Sequence, residues 1–83
     1  MTTIELSKHC RYQAADVLGN QILAFFDRNP EEELTSDDTA VKFGRRLPLV
    51  RETLKSLVDR GLLDRYGVRA RGSQVTYFYR RAA

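Results

Sequence analysis

The segment Thr35–Arg65, TSDDTAVKFGRRLPLVRETLKSLVDRGLLDR, decides how this chain folds. Thr35 followed three residues later by Asp38 is the pattern of a capping box, in which each side chain satisfies a free backbone N–H at a helix start. A helix over about 36–43 follows, with Ala40, Val41 and Phe43 as its apolar side and Gly44 at its end. Glycine suits that end because it enters the left-handed conformation without strain. Pro48 fits the first turn of a second helix, over about 47–60, where its missing N–H leaves nothing unsatisfied. Along it Val50, Leu54, Leu57 and Val58 fall at i, i+4, i+7 and i+8, which is one face. Gly61 closes this helix, and Leu62-Leu63 open another element.

The run Ala40-x3-Gly44-x5-Val50, continued by Leu54, Leu57 and Gly61-Leu62-Leu63, resembles the helix-turn-helix of bacterial winged-helix DNA-binding regulators. Under that resemblance, the small residue at 40 lets two helices cross closely, Gly44 makes the turn, and Val50 fills the angle between them. Arg45 and Arg46 depart from the family pattern, in which the first position is usually apolar and the second often Ser or Thr. The likeness covers about half the chain, or most of it with the hairpin that follows. The implied fold is α+β, a winged helix-turn-helix of three helices followed by a C-terminal β-hairpin wing. It would occupy residues 11–83, with 1–10 as a loosely ordered N-terminal segment.

At 83 residues the chain makes one domain with a modest core. Its 42% hydrophobic and 30% charged composition is ordinary for a soluble fold and argues against disorder. Apolar runs are only a few residues, far short of the roughly 20 that span a bilayer, so no membrane partner is expected. The N-terminus lacks the pattern of a signal peptide, and a single cysteine suits the cytoplasm. Charge is unevenly placed. Residues 1–41 carry three basic and eight acidic side chains, net −5, whereas 42–83 carry eleven basic and three acidic, net +8. A field that lopsided offers one side to a polyanion.

Outside the central segment the pattern is simpler. Residues 11–28 predict a first helix with Ala15, Leu18, Ile22, Phe25 and Phe26 on one face and Gln13, Asp16, Asn20 and Asp27 largely opposite. Asn29-Pro30 ends it, since a residue before proline is pushed out of helical geometry. Glu31, Glu32 and Glu33 read as a solvated connector, mildly favourable before a helix start. Ile4 and Leu6 alternate with polar residues, which suits a short strand or a dimer contact. His9 and Cys10 are the only His and Cys, so no metal-ligand set forms, and adjacent residues make a poor nucleophile–base pair.

Residues 62–81 predict a hairpin. Alternation places Val75, Tyr77 and Tyr79 on one face, expected inward, and Thr76 and Phe78 on the other, where Phe78 would need a cover. Gly72-Ser73 supplies the turn, with Arg69 and Arg71 beside it.

The resemblance implies that the helix over 47–60 enters a major groove by its N-terminal turns. The residues this selects are Arg45, Arg46, Pro48, Leu49, Arg51, Glu52 and Lys55. Arginine pairs with guanine, glutamate accepts from cytosine, and leucine touches a thymine methyl. Arg69, Arg71 and Ser73 of the wing would contact a minor groove or the backbone. The same charges could instead be ordinary surface residues, or guards that keep a strand edge from pairing. The expected function is therefore sequence-specific binding of double-stranded DNA by a transcriptional regulator. A homodimer is one route to a long enough site, through the N-terminal segment, the first helix or the exposed side of the hairpin, because no dimerisation helix follows the wing. A protein-interaction module of the same shape, or an RNA-binding domain using the basic hairpin and its tyrosines, are the alternatives. No cofactor, small-molecule effector or catalytic activity is expected, because there is no phosphate-binding glycine loop, no activated nucleophile and no metal set.

Overall fold

The computed structural model describes residues 17–69, 72 and 74–82. The readings at Ile4, Leu6, His9 and Cys10, and those on the first helix up to Asp16, lie outside the described residues. Within them, α1 runs through 17–28, α2 is Ser36–Phe43, α3 is Leu47–Asp59, β1 is Leu63–Arg69 and β2 is Val75–Arg81. The expected winged helix-turn-helix is the fold: three helices and a C-terminal antiparallel hairpin.

Each helix end has a local cause. On α1, the N–H and side-chain amide of Asn29 both donate to the Phe25 carbonyl, each at 2.9 Å, closing the helix ahead of Pro30. At the start of α2 the Asp38 N–H donates to Thr35 Oγ1 at 3.0 Å, and the Thr35 N–H donates to Asp38 Oδ2 at 3.3 Å, so the capping box is complete. Its other end turns at Gly44 with φ 62°, a left-handed value. There Gly44 N–H donates to Val41 O and Arg45 N–H to Ala40 O, the paired bonds of a Schellman motif. The same motif recurs after α3, where Gly61 (φ 76°) donates to Val58 O and Leu62 to Leu57 O. Two glycine-ended helices thus redirect the chain twice within one segment.

The core is a three-sided contact between α1, α3 and the base of the hairpin. Leu18, Ile22 and Phe26 of α1 pack with Val50, Leu54 and Leu57 of α3 and with Leu63 and Tyr79 of the strands. Burying each large apolar side chain contributes roughly 1.5–3 kcal/mol. Phe25, half-buried, meets Phe26 edge-on at 5.2 Å between ring centres and Phe43 at 6.2 Å, which docks α2 against α1. Gly19 lets α3 approach α1, since a Cβ there would already touch Thr53 and Leu57 at 3.7 and 3.8 Å.

Two expectations are corrected. Val41 is not part of an apolar side facing the core; it is 84% exposed, and the buried residue of α2 is Thr39. The Thr39 hydroxyl donates to the Thr35 carbonyl at 2.8 Å, which removes the penalty for burying it. In the hairpin, Val75, Tyr77 and Tyr79 do share a face, but only Tyr79 turns into the core, at 6% exposure. Val75 and Tyr77 lie past the end of the core and are exposed. Phe78, on the other face, is covered by Tyr66, whose ring stacks on it at 5.6 Å.

The register pairs Leu63 with Arg81, Arg65 with Tyr79, Gly67 with Tyr77 and Arg69 with Val75. A feature absent from the sequence reading joins the sheet at its β2 edge. Leu34 exchanges both backbone hydrogen bonds with Tyr79, at 3.0 and 2.8 Å, so the acidic connector is tied to the strand. Glu33 beside it accepts the Tyr66 hydroxyl. An exposed ion pair, Arg81 Nε to Asp27 Oδ1 at 3.3 Å, links the hairpin base to α1.

Candidate nucleic-acid interface

With Val50, Thr53, Leu54 and Leu57 buried, α3 leaves an exposed arc made of Pro48, Arg51, Glu52, Lys55, Ser56 and Asp59. Helical geometry, at about 100° per residue, divides that arc into two flanks. Arg51 and Lys55 lie toward the hairpin and help line a cleft of about 600 Å³ with Arg65, Thr76 and Tyr77. Glu52 and Ser56 lie toward α1 and line a separate cleft of about 540 Å³ with Asn20 and Arg60. Arg51 and Glu52, neighbours in sequence, therefore face different surroundings.

The start of α3 is electrostatically bare. Arg46 is its N-cap, with φ −67° and ψ 139°, and no side chain caps the first turn. No acid lies in that turn, and Arg45 and Arg46 stand immediately before it. The partial positive charge of a helix N-terminus thus adds to two guanidinium groups. Arg46 and Pro48 are exposed, and Arg45 is half-buried. Leu49 is half-buried and packed against the core, so much of its side chain is occupied by the fold.

On the hairpin, strand alternation puts Leu63, Arg65, Gly67 and Arg69 on one face with Val75, Tyr77, Tyr79 and Arg81. The base of this face is core; farther along the strands it becomes the wall of the cleft beside α3. Arg69 is exposed on that face, the same one from which Arg65 meets Arg51 and Lys55. Arg71 and Ser73 lie outside the described residues. Helix and hairpin thus contribute basic side chains to one cleft. Among the described residues the ion pair within 4 Å is Arg81–Asp27, which leaves Arg45, Arg46, Arg51, Lys55, Arg65 and Arg69 without a carboxylate partner at that distance.

Arg65, Tyr77 and Asp37 line the cleft without having been selected from the sequence. Period-two alternation back from Arg69 reaches Arg65 and would have found it. Asp37 enters from the first turn of α2, and nothing local to it signals that neighbour.

This arrangement, an exposed helix of a helix-turn-helix standing beside a two-stranded hairpin, defines a winged-helix domain. Among solved structures, the chain is similar to a protein described as a "possible transcriptional regulator" from Methanosarcina mazei Go1, with a TM-score of 0.72 and 17% sequence identity. The match covers 78% of this chain and 54% of that one, so this chain spans about half the length of that protein. No protein-family model matches the chain. No curated protein matches it. Among the described residues no helix is long and apolar enough to cross a membrane.

Proposed function

We infer that this protein is a sequence-specific DNA-binding transcriptional regulator, with α3 lying in the major groove and the hairpin reaching the backbone or the adjacent minor groove. The observation that carries this reading is the shared cleft, in which basic residues of α3 and of the hairpin stand together. The bare, basic start of α3 supports it, because such an end accepts the oxyanions of a phosphate backbone. In this reading Arg46 and Pro48 lead the helix into the groove and Arg51 and Lys55 contact the wall nearer the wing. Glu52, on the other flank of the exposed arc, accepts from a cytosine edge on the groove floor. Arg69, with Arg71 and Ser73, extends the contact past the groove edge.

The role is binding without catalysis, carried out in the cytoplasm. One module covers a short site, so a second copy on an adjacent half-site about one helical turn away supplies useful affinity and a two-fold operator. A protein-interaction role gains nothing from Phe78, because Tyr66 stacks on its ring.

Fluorescence anisotropy with duplex DNA over a salt series tests the reading. If about five side chains meet phosphates, the log–log slope of affinity against salt is about −4 to −5. A flat salt response, or stronger binding to single-stranded RNA than to duplex, rejects it.

A further inference from the structure

The cleft between α3 and the hairpin contains an unusual stack. Tyr77 is 47% exposed, although large aromatic side chains are normally tucked away in so small a fold. Its ring lies across Gly67, directly opposite in the register. A Cβ at Gly67 would fall 2.7 Å from Val75 Cγ1 and 3.2 Å from Tyr77 Cε1, so any other residue would push Val75 aside and crowd the ring. On the ring sits the guanidinium of Arg65, its Cζ 4.9 Å from the ring centre. A glycine inside a strand normally weakens it. Here it lets an aromatic ring lie flat and hold an arginine in one place, by cation–π attraction.

Resting on the DNA-binding reading above, we propose that this cleft seats a single backbone phosphate of the duplex, gripped by Arg51 and Lys55 from α3 and by Arg65 from the hairpin. The chemistry of the lining favours an anion: three cations from two elements line the cleft, and Asp37 is the one acid among its lining residues. A phosphodiester oxygen can accept from a guanidinium edge and an ammonium together. Arg65 is the binding residue new to the site, and Tyr77 with Gly67 positions it. The seat also fixes register, since a phosphate held at the joint between helix and wing sets how far each reaches into its groove.

The test compares wild type with Arg65→Ala, Arg65→Lys, Tyr77→Phe and Tyr77→Ala on several unrelated duplexes over a salt series. Arg65 and Tyr77 are exposed, and thermal unfolding verifies that each variant is folded. A phosphate seat predicts that Arg65→Ala weakens binding about 5–10-fold near 0.1 M salt, equally on every duplex, and reduces the salt slope by about one. Arg65→Lys keeps the slope and recovers part of the affinity. Tyr77→Phe stays close to wild type and Tyr77→Ala falls between, because the ring and not the hydroxyl aims the arginine. An unchanged slope for Arg65→Ala on DNA that wild type binds overturns the seat alone. So does a loss confined to particular sequences, which marks a base contact. If wild type binds no duplex even at low salt, the DNA-binding reading falls as well.

Discussion

The two helices of the helix-turn-helix begin in opposite ways. α2 starts on Thr35 with both bonds of a capping box in place and with Asp37 and Asp38 in its first turn. α3 starts on Arg46 with no side-chain cap, no acid in its first turn and a second arginine just before it. One start is completed by its own residues; the other leaves backbone donors and positive charge facing outward. Capping contributes about 0.5–2 kcal/mol wherever Ser, Thr, Asp or Asn is present. The absence of such a residue at α3 is thus a stability forgone, and in the DNA-binding reading proposed above a backbone phosphate takes its place.

The largest test of this contrast is Arg46→Asp. It installs a cap on α3 and is expected to raise stability by about 0.5–2 kcal/mol in urea unfolding. Reversing the charge at the groove entrance is expected to weaken duplex binding roughly 10–100-fold at low salt. Stability and affinity moving in opposite directions is the signature; a variant that gains both shows that the bare start has no DNA role. Next in size is Thr35→Ala, which should lower stability by about 1 kcal/mol through loss of the cap. Its affinity for DNA, measured on fully folded protein, should stay within about twofold: Thr35 lines the cleft beside Arg51 and Lys55, but its side chain is uncharged and is engaged in the cap. Smallest is Asp37→Asn. Removing an acid from the first turn of α2 costs about 0.3–1 kcal/mol, and removing it from the cleft should tighten DNA binding about two- to threefold, an effect that fades as salt rises.

Much of this frame is visible in the sequence because its causes are local. Thr35 and Asp38, Gly44, Pro48 and Gly61 each act on backbone within a few residues, and the helices and turns they predict are the ones observed. What escaped depends on where elements meet. Thr39 looks polar and Val41 apolar, yet the first is buried because its hydroxyl bonds four residues back, and the second points outward. Tyr77 and Tyr79 share a strand face, and the finite width of the core separates their fates. The clefts beside α3 were legible only in part. Helical spacing identifies the exposed arc, but which flank faces the hairpin follows from packing among α1, α3 and Leu63.

The bridge between Leu34 and Tyr79 has a consequence for how the domain assembles. It joins positions far apart in the chain, and one of its residues is also a member of the core. Closing so long a loop is entropically expensive until the intervening helices have collapsed, so this pairing belongs late in folding or to its cooperative step. The helix-turn-helix is consequently not a portable fragment. Cut before β2, the segment loses Tyr79 from its interior together with the backbone ladder that anchors the approach to α2, and the two helices should unravel together.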